Sequence, residues 1–543
     1  MTLSQTGIRR IRHAQVTLVV VLLVYVLVFA WQYMDIRQSC SGMFVYGLDD
    51  AYIHLEIARN IVEHGTYGIA AGQVSIASSS VAWPWILSLG FLITDTAELF
   101  PLMLNVLLGA ALLWLTWRLL VSRDYPPVIL FIVCMLQLFL LPVLPLVFTG
   151  MEALLHAVLS MILLGVLLDF FRVESRSALT RILVLLFLMT LVRYESLSLA
   201  AGIGLVLLVQ RRVADGVKVM LAAALPVLLA GLLYVLYGNT FLPHSIVLKM
   251  NSWDVNGLGT FTGFLNASQV GVEYWAVFRR TGAMLLILGI TVLSLQERRR
   301  PLMMLTAAFA VGVLGYAYGV QMQHPANMRY EAYLAAPMIV FIAMLLWENR
   351  SHAAGIFSGR TGVLRAVLAA VILFPALSAV IYFGGDFARK AVRPSVNIYE
   401  QQQQMSRFVE RYYADSTICL NDIGSVAFRT DADIVDLAGL GTPSVAEAYK
   451  EGRFTTAFID SLTRARGARI AMVYDSWFKG RASLPQNWIR AGVWQIRESL
   501  ICGDDEVSIY ALDSASLPPL RNALQDFSDE LPDRVIQAGI ASP

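Results

Sequence analysis

Two adjacent carboxylates, Asp49 and Asp50, stand in a polar segment between strongly apolar stretches. A carboxylate acts as a general base when it lies within hydrogen-bonding reach of a hydroxyl group. Neighbouring side chains of a helix or strand point in different directions, so one carboxylate could be the base while the other orients it or binds a metal ion. The alternative is a purely structural helix start, because Asp50 precedes an amphipathic run over residues 51–63.

His54 follows Asp50 by four residues, which would place both side chains on one face of a helix. This spacing would allow a divalent cation to bind. A single histidine beside one carboxylate is more often a hydrogen-bond partner, and the sequence shows no dedicated ligand set. The metal and hydrogen-bond interpretations therefore both stay open.

The composition predicts a polytopic membrane protein. Of the 543 residues, 57% are hydrophobic and only 15% are charged, which leaves too little polar surface for a soluble globule. The formal net charge is +2, so no bulk charge indicates a nucleic-acid partner. No small-residue cleavage site follows the first apolar run, 14–31, and we therefore expect a retained helix that starts on the cytoplasmic side.

The apolar runs and the arginines together predict a topology. An apolar run of about 20 residues crosses the hydrocarbon core, and basic loops stay cytoplasmic. The run 83–93 is too short and predicts a half-inserted helix, whereas 181–210 is broken by Arg193 and Glu195 and predicts two short helices that meet at a polar apex. The sequence predicts about eleven membrane helices in total. Two are the short helices within 181–210, and the other nine are 14–31, 101–121, 127–148, 152–171, 217–237, 282–295, 302–320, 331–347 and 366–383.

In this topology the polar segments share the outer face, where cations are scarce: Arg193, His244, Lys249 and Arg329. Cations held there could neutralise a phosphate group at the bilayer surface. Structural alternatives exist for two of them. Arg193 could pair with a nearby glutamate, and Lys249 could simply extend to the membrane interface.

The composition changes near Gly384, where charges return and long apolar runs stop. We therefore expect a membrane domain over residues 1–385, with a first outer loop at 34–100, and a soluble outer domain over 386–543. An amphipathic helix is predicted at 399–413, and strands are predicted at 417–420, 434–437, 470–474 and 507–512. This pattern indicates a small α/β domain. Its Cys419 and Cys502 could form one disulfide or remain free thiols.

The sequence contains no phosphate-cradling glycine-rich loop and no dinucleotide fingerprint. Five short motifs do occur in order along the first 340 residues or so: Asp49-Asp50-Ala51-Tyr52-Ile53, Ala58-Arg59-Asn60, Thr149-Gly150-Met151-Glu152, Leu191-Val192-Arg193-Tyr194-Glu195, and Leu242-Pro243-His244-Ser245 continuing to Lys249. The series resembles the GT-C superfamily of integral-membrane glycosyltransferases. The resemblance is strongest to the bacterial branch that includes mycobacterial terminal arabinofuranosyltransferases.

The resemblance implies a GT-C fold and the transfer of a sugar from a polyprenyl-phosphate donor to a glycan, lipid or protein acceptor of the cell envelope. The enzyme would lie in the bacterial inner membrane, with its C-terminal domain extracytoplasmic. A first-loop aspartate would be the base, with Asp49 preferred over Asp50. The four outer cations would bind the donor phosphate, supported by Tyr52, His54, Arg59, Glu152 and Glu195. Tyr194 and His244 depart from the usual Pro and Asn, which leaves the sugar open.

Two other functions are compatible with the sequence. A transporter or flippase of lipid-linked sugars would also need an apolar body with a polar cavity, but its charges should line a path through the membrane. A non-catalytic envelope-assembly protein would use the outer domain for binding and would tolerate loss of both aspartates.

Overall fold

The computed structural model describes residues 5–94, 97–141, 143–245, 300–319, 329–348, 387–479 and 482–539. A helical part comes first along the chain and is followed by a part that carries a six-stranded sheet. The predicted spans at 282–295 and 366–383 and the candidate residue Lys249 lie outside the described residues.

In the described ranges the helical part contains twelve α-helices. They are α1 Gln5–Ser39, α2 Asp50–His64, α3 Trp83–Phe91, α4 Phe100–Val121, α5 Pro127–Leu140, α6 Val143–Phe148, α7 Ala153–Val173, α8 Arg176–Val192, α9 Ser196–Val209, α10 Val213–Leu236, α11 Arg300–Gly319 and α12 Ala332–Glu348. Among the residues that the structure describes, four apolar stretches are long enough to cross a membrane, in α1, around α4, in α7 and in α10, and shorter apolar helices accompany them. The membrane character predicted from composition is thus supported by the helices.

Both ambiguous segments form the predicted elements. The run at 83–93 contains only the nine-residue α3, and the run at 181–210 is divided between α8 and α9, with Arg193 to Glu195 between them. The predicted single span at 127–148 is wrong in detail, because α5 ends at Leu140 and the short α6 begins at Val143. A proline lies near the start of each of these two helices, and proline favours the first turn of a helix.

Charged pairs join neighbouring helices at both ends of the bundle. At one end, Arg123 after α4 pairs with Asp169 near the end of α7 at 3.1 Å. At the other end, Arg193 after α8 pairs with Glu152 before α7. The chain therefore alternates direction through α7, α8 and α9, and it carries the candidate site residues to one end and several arginines to the opposite end.

The C-terminal part contains the helices α13 Phe387–Glu400, α14 Gln402–Tyr412, α15 Gly424–Arg429, α16 Pro443–Lys450, α17 Thr456–Ala465 and α18 Leu517–Phe527, and the strands β1 Thr417–Leu420, β2 Asp433–Asp436, β3 Ile470–Val473, β4 Ile489–Ile496, β5 Glu506–Ala511 and β6 Val535–Ala538. The strand order is β2-β1-β3-β5-β4-β6. The first three strands are parallel, and the others pair antiparallel.

The four predicted strands correspond to β1, β2, β3 and β5, whereas β4 and β6 were not predicted. β4 carries an irregularity between Arg490 and Gly492, which interrupts the alternation of apolar and polar side chains. Cys419 and Cys502 are free thiols, so the disulfide alternative is not realised. Cys419 lies at the centre of β1, among buried apolar side chains.

Helix α2 connects the two parts of the protein. Its Leu55 and Ala58 pack into the core of the helical part, while Ile53 and Ile57 pack into the core beneath the C-terminal sheet. Helix α2 also contacts α15 directly. The first loop therefore belongs to both cores, and the two expected domains are joined through it.

Candidate active site

The two adjacent aspartates lie in different surroundings. Asp50 is the first residue of α2, and 40% of its side chain is exposed. Its Oδ2 accepts a hydrogen bond from Arg329 Nη1 at 2.6 Å. A hydroxyl group of a bound molecule could therefore approach this carboxylate from solvent, with Arg329 beside it.

Asp49, by contrast, is only 6% exposed. Its side chain makes no capping bond to α2. Its two oxygens instead accept hydrogen bonds from the backbone N–H groups of Gly424, at 2.5 Å, and Ser425, at 2.8 Å, at the start of α15. Burial, together with the nearby Asp422 carboxylate, raises the pKa of Asp49 well above its usual range.

Arg193 lies between two glutamates. Its Nη1 donates to Glu152, and its Nε and Nη2 donate to the two carboxylate oxygens of Glu195 at 3.1 Å and 2.6 Å. The guanidinium is 2% exposed and also stacks over the ring of Tyr330. The geometry thus matches the structural alternative for Arg193, because all three nitrogens of its fork already have carboxylate partners.

Tyr330 links this buried ion pair to the exposed aspartate. Arg193 and Arg329 lie over its ring at 4.5 Å and 4.6 Å from the centroid. Arg329 Nη2 also donates to the Tyr330 hydroxyl at 2.7 Å. In the described part of the chain, Arg329 Nε has no hydrogen-bond partner. Arg329 therefore has donor capacity left that Arg193 lacks.

His54 lies beneath these charged groups on α2 and is 2% exposed. Its Nδ1 lies 3.3 Å from Ser78 Oγ. Burial lowers its pKa, although Glu152 and Asp50 oppose the shift. A neutral imidazole in hydrogen-bond contact with a serine agrees with the hydrogen-bond interpretation of this residue. The described residues bring together no group of three His, Cys, Asp or Glu side chains that could hold a metal ion.

The backbone around the site is fixed by hydrogen bonds between the first loop and the turn before α7. Trp83 Nε1 donates to the Gly150 carbonyl at 3.1 Å. Gly150 has φ +69°, and a Cβ there would lie 2.7 Å from the Tyr46 ring. Only glycine fits such a contact and such a backbone angle. This explains the glycine in the turn that presents Glu152.

Three other predicted residues connect the first loop and nearby chain to the C-terminal part. Tyr52 is buried, its hydroxyl accepts a hydrogen bond from the backbone N–H of Tyr46 at 3.2 Å, and Arg429 of α15 lies over its ring at 5.2 Å from the centroid. Arg59 pairs with Glu56 and lies over the Phe428 ring of α15. His244 Nδ1 is 3.1 Å from the Leu440 carbonyl oxygen. These side chains therefore contact the C-terminal part.

Groups that follow the parallel strands also contact the site, although they were not among the predicted site residues. Asp422, directly after β1, is in hydrogen-bond contact with Asp49. Its Oδ2 accepts from Gln402 at 2.7 Å and from the Tyr474 hydroxyl at 3.0 Å. The predicted strands were one indication of these groups, because functional groups of α/β sheets gather at the carboxyl ends of parallel strands. That these ends face Asp49 could not be inferred from the sequence.

Comparisons with known proteins give limited information. The family model described as "Domain of unknown function (DUF8728)" matches residues 396–510, which is well under half of the chain. A comparison with curated proteins finds no match.

Among solved structures, the protein is similar to the archaeal oligosaccharyltransferase AglB from Archaeoglobus fulgidus, in complex with an inhibitory peptide and a dolichol-phosphate. The TM-score is 0.46 and the identity 10%, over 92% of this chain and 74% of that chain. A second structure of the Archaeoglobus fulgidus oligosaccharyltransferase, with Zn and sulfate, gives a TM-score of 0.43 at 11% identity, with the same coverage. Similarity at this level assigns neither the activity nor the substrate.

Proposed function

We propose that this chain is a membrane glycosyltransferase that moves a sugar from a polyprenyl-phosphate donor to a hydroxyl group of a cell-envelope acceptor on the outer face of the membrane. The observation that carries the proposal is the pairing of the exposed Asp50 carboxylate with Arg329 at one end of an apolar helix bundle. A base next to a cation suits a reaction that deprotonates an acceptor and releases an anionic phosphate.

In this proposal the acceptor hydroxyl gives its proton to Asp50. The acceptor oxygen then attacks the anomeric carbon, and the bond from that carbon to the phosphate oxygen breaks. Polyprenyl phosphate leaves with the bonding electron pair, and the positive charge of Arg329 beside Asp50 offsets the charge of the phosphate. A single displacement of this kind inverts the anomeric centre.

The geometry shifts the preference between the two aspartates. The motif resemblance favoured Asp49 as the base, but Asp49 is buried and its oxygens accept backbone hydrogen bonds. A general base must reach the proton that it removes. We therefore assign the base to Asp50 and give Asp49 a different role. Arg193, held by Glu152 and Glu195, supports Tyr330 and through it Arg329.

The test is transfer of radiolabelled sugar by the purified full chain from a panel of synthetic polyprenyl-phosphate sugars. Asp50→Asn should lower kcat by about 10²–10⁴-fold, the usual contribution of a general base. Asp415→Asn, at an exposed carboxylate of the C-terminal part, is the matched control and should keep the wild-type rate.

Two results would overturn the proposal. One is a wild-type rate in Asp50→Asn. The other is a failure to consume any donor while lipid-linked sugar crosses vesicles that contain the protein, which would indicate a transporter.

A further inference from the structure

The contact between Asp49 and α15 joins residues 375 positions apart in the chain. Both Asp49 oxygens accept backbone N–H groups, so this single side chain satisfies two donors at the start of α15. A carboxylate at a helix start is also stabilised by the helix dipole. The first loop and the C-terminal part are therefore joined at the residue that immediately precedes Asp50.

Asp422 adds a second carboxyl group at the same point. It is half-buried, in contact with Asp49, and it also accepts hydrogen bonds from Gln402 and Tyr474. Two carboxyl groups in direct contact share one proton, because two negative charges at that distance repel strongly. The pair thus forms one hydrogen-bonded unit between α2 and the end of β1.

Gly424 permits this close approach. A Cβ at this position would lie 2.2 Å from the Asp49 carbonyl oxygen and 2.7 Å from its Oδ2. Contacts this short cannot be relieved by a side-chain rotation, since one partner is backbone. The fit between the two parts of the chain is therefore specific at this point.

We propose that Asp49 and Asp422 are positioning residues: their shared contact docks the C-terminal part on the first loop and thereby holds Asp50 opposite Arg329. The inference rests on the proposed function for its consequence on turnover, but docking itself can be measured without any activity. Neither residue touches the reacting atoms in this scheme. Loss of docking would move α2 and with it the base.

The shared proton makes docking sensitive to pH. The other titratable groups that face the pair are Asp50, Tyr474 and Cys502, and Arg429 of α15 is turned to Glu98. The docked pair keeps a proton that free carboxyl groups lose above a pKa of about 4. The docked state therefore binds more protons than the undocked state. The equilibrium constant for docking falls by up to tenfold per pH unit above about pH 4, until the pair itself ionises.

Hydrogen exchange of the full chain in detergent tests this inference. Gly424→Ala should lower the protection of the backbone amides of α2 and α15 against exchange at least tenfold, while the amides of β3 and β5 keep their protection. Gly165→Ala is the matched control, because its added Cβ would meet only Leu119, at an ordinary 3.5 Å. Unchanged protection of α2 in Gly424→Ala would overturn the proposal.

Asp422→Asn supplies a second test that does not depend on a clash. An asparagine amide can donate to the Asp49 carboxylate without a shared proton, so docking should persist and should depend less on pH than in the wild type. The same pH dependence as in the wild type would overturn the inference. If protection changes as expected but no donor is consumed by the wild type, the docking role stands and the proposed function fails.

Discussion

At the scale of single residues, the structure gives two arginines of the candidate site different surroundings. Arg193 is buried between Glu152 and Glu195, whereas Arg329 pairs with an aspartate that is 40% exposed. Removing one partner of a buried ion pair leaves an uncompensated buried charge, whereas a carboxylate that is partly exposed can be solvated by water when its partner is removed. The first arginine should therefore matter for folding, and the second for turnover.

We predict opposite consequences for the same substitution at these two positions. Arg193→Met should lower the free energy of unfolding by about 3–5 kcal/mol because it strands two glutamates. Arg329→Met should cost less stability than Arg193→Met, because its partner Asp50 keeps 40% of its side chain exposed to water, and it should strongly reduce kcat. Thermal unfolding in detergent and donor turnover measure the two effects. Equal loss of Tm in both variants would contradict this division of roles.

At the scale of elements, α2 is central because its two faces serve two cores. Ile53 and Ile57 enter the core beneath the C-terminal sheet, and the opposite face packs on the membrane helices. An amphipathic period predicted the helix but could not predict two apolar partners. For the same reason the docked state of Asp49 could not be foreseen, since its partners Gly424 and Ser425 come from a distant part of the chain.

The fold was predictable where local patterns decide it and less so elsewhere. The length of an apolar run predicted the short α3, and the charges at Arg193 and Glu195 predicted the division between α8 and α9. Strand β4 was missed because its irregular register breaks the alternation. The structure brings Asp50, Arg329 and the Arg193 ion pair close together, but which aspartate is accessible depends on tertiary contacts that the sequence does not display.

A pair of isoleucines tests the coupling role of α2. Ile57→Ala should cost about 2–5 kcal/mol, because it leaves a cavity in the C-terminal core. Ile536→Ala, at a position of β6 that is 47% exposed, should cost about 1 kcal/mol or less. Denaturant unfolding followed by tryptophan fluorescence compares them. Equal costs would show that α2 does not contribute to that core.

At the scale of the whole molecule, the two ends of the helix bundle differ in charge and in what they contact. The end with Asp50 and Glu152 adjoins the C-terminal part. The opposite end carries arginines such as Arg123 and Arg212, which pair with Asp169 and Glu174. Loops rich in arginine remain on the cytoplasmic side. The site and the C-terminal part should therefore face outward.

Cysteine labelling in intact cells tests this orientation. Ser514→Cys introduces a thiol at an exposed position of the C-terminal part, and Ser177→Cys introduces one at an exposed position of α8 near the arginines. A membrane-impermeant maleimide should label the first variant in intact cells and the second only after permeabilisation, with the unsubstituted chain as background. The reverse pattern would place Asp50 on the cytoplasmic side, where a donor exposed on the outer leaflet could not reach it.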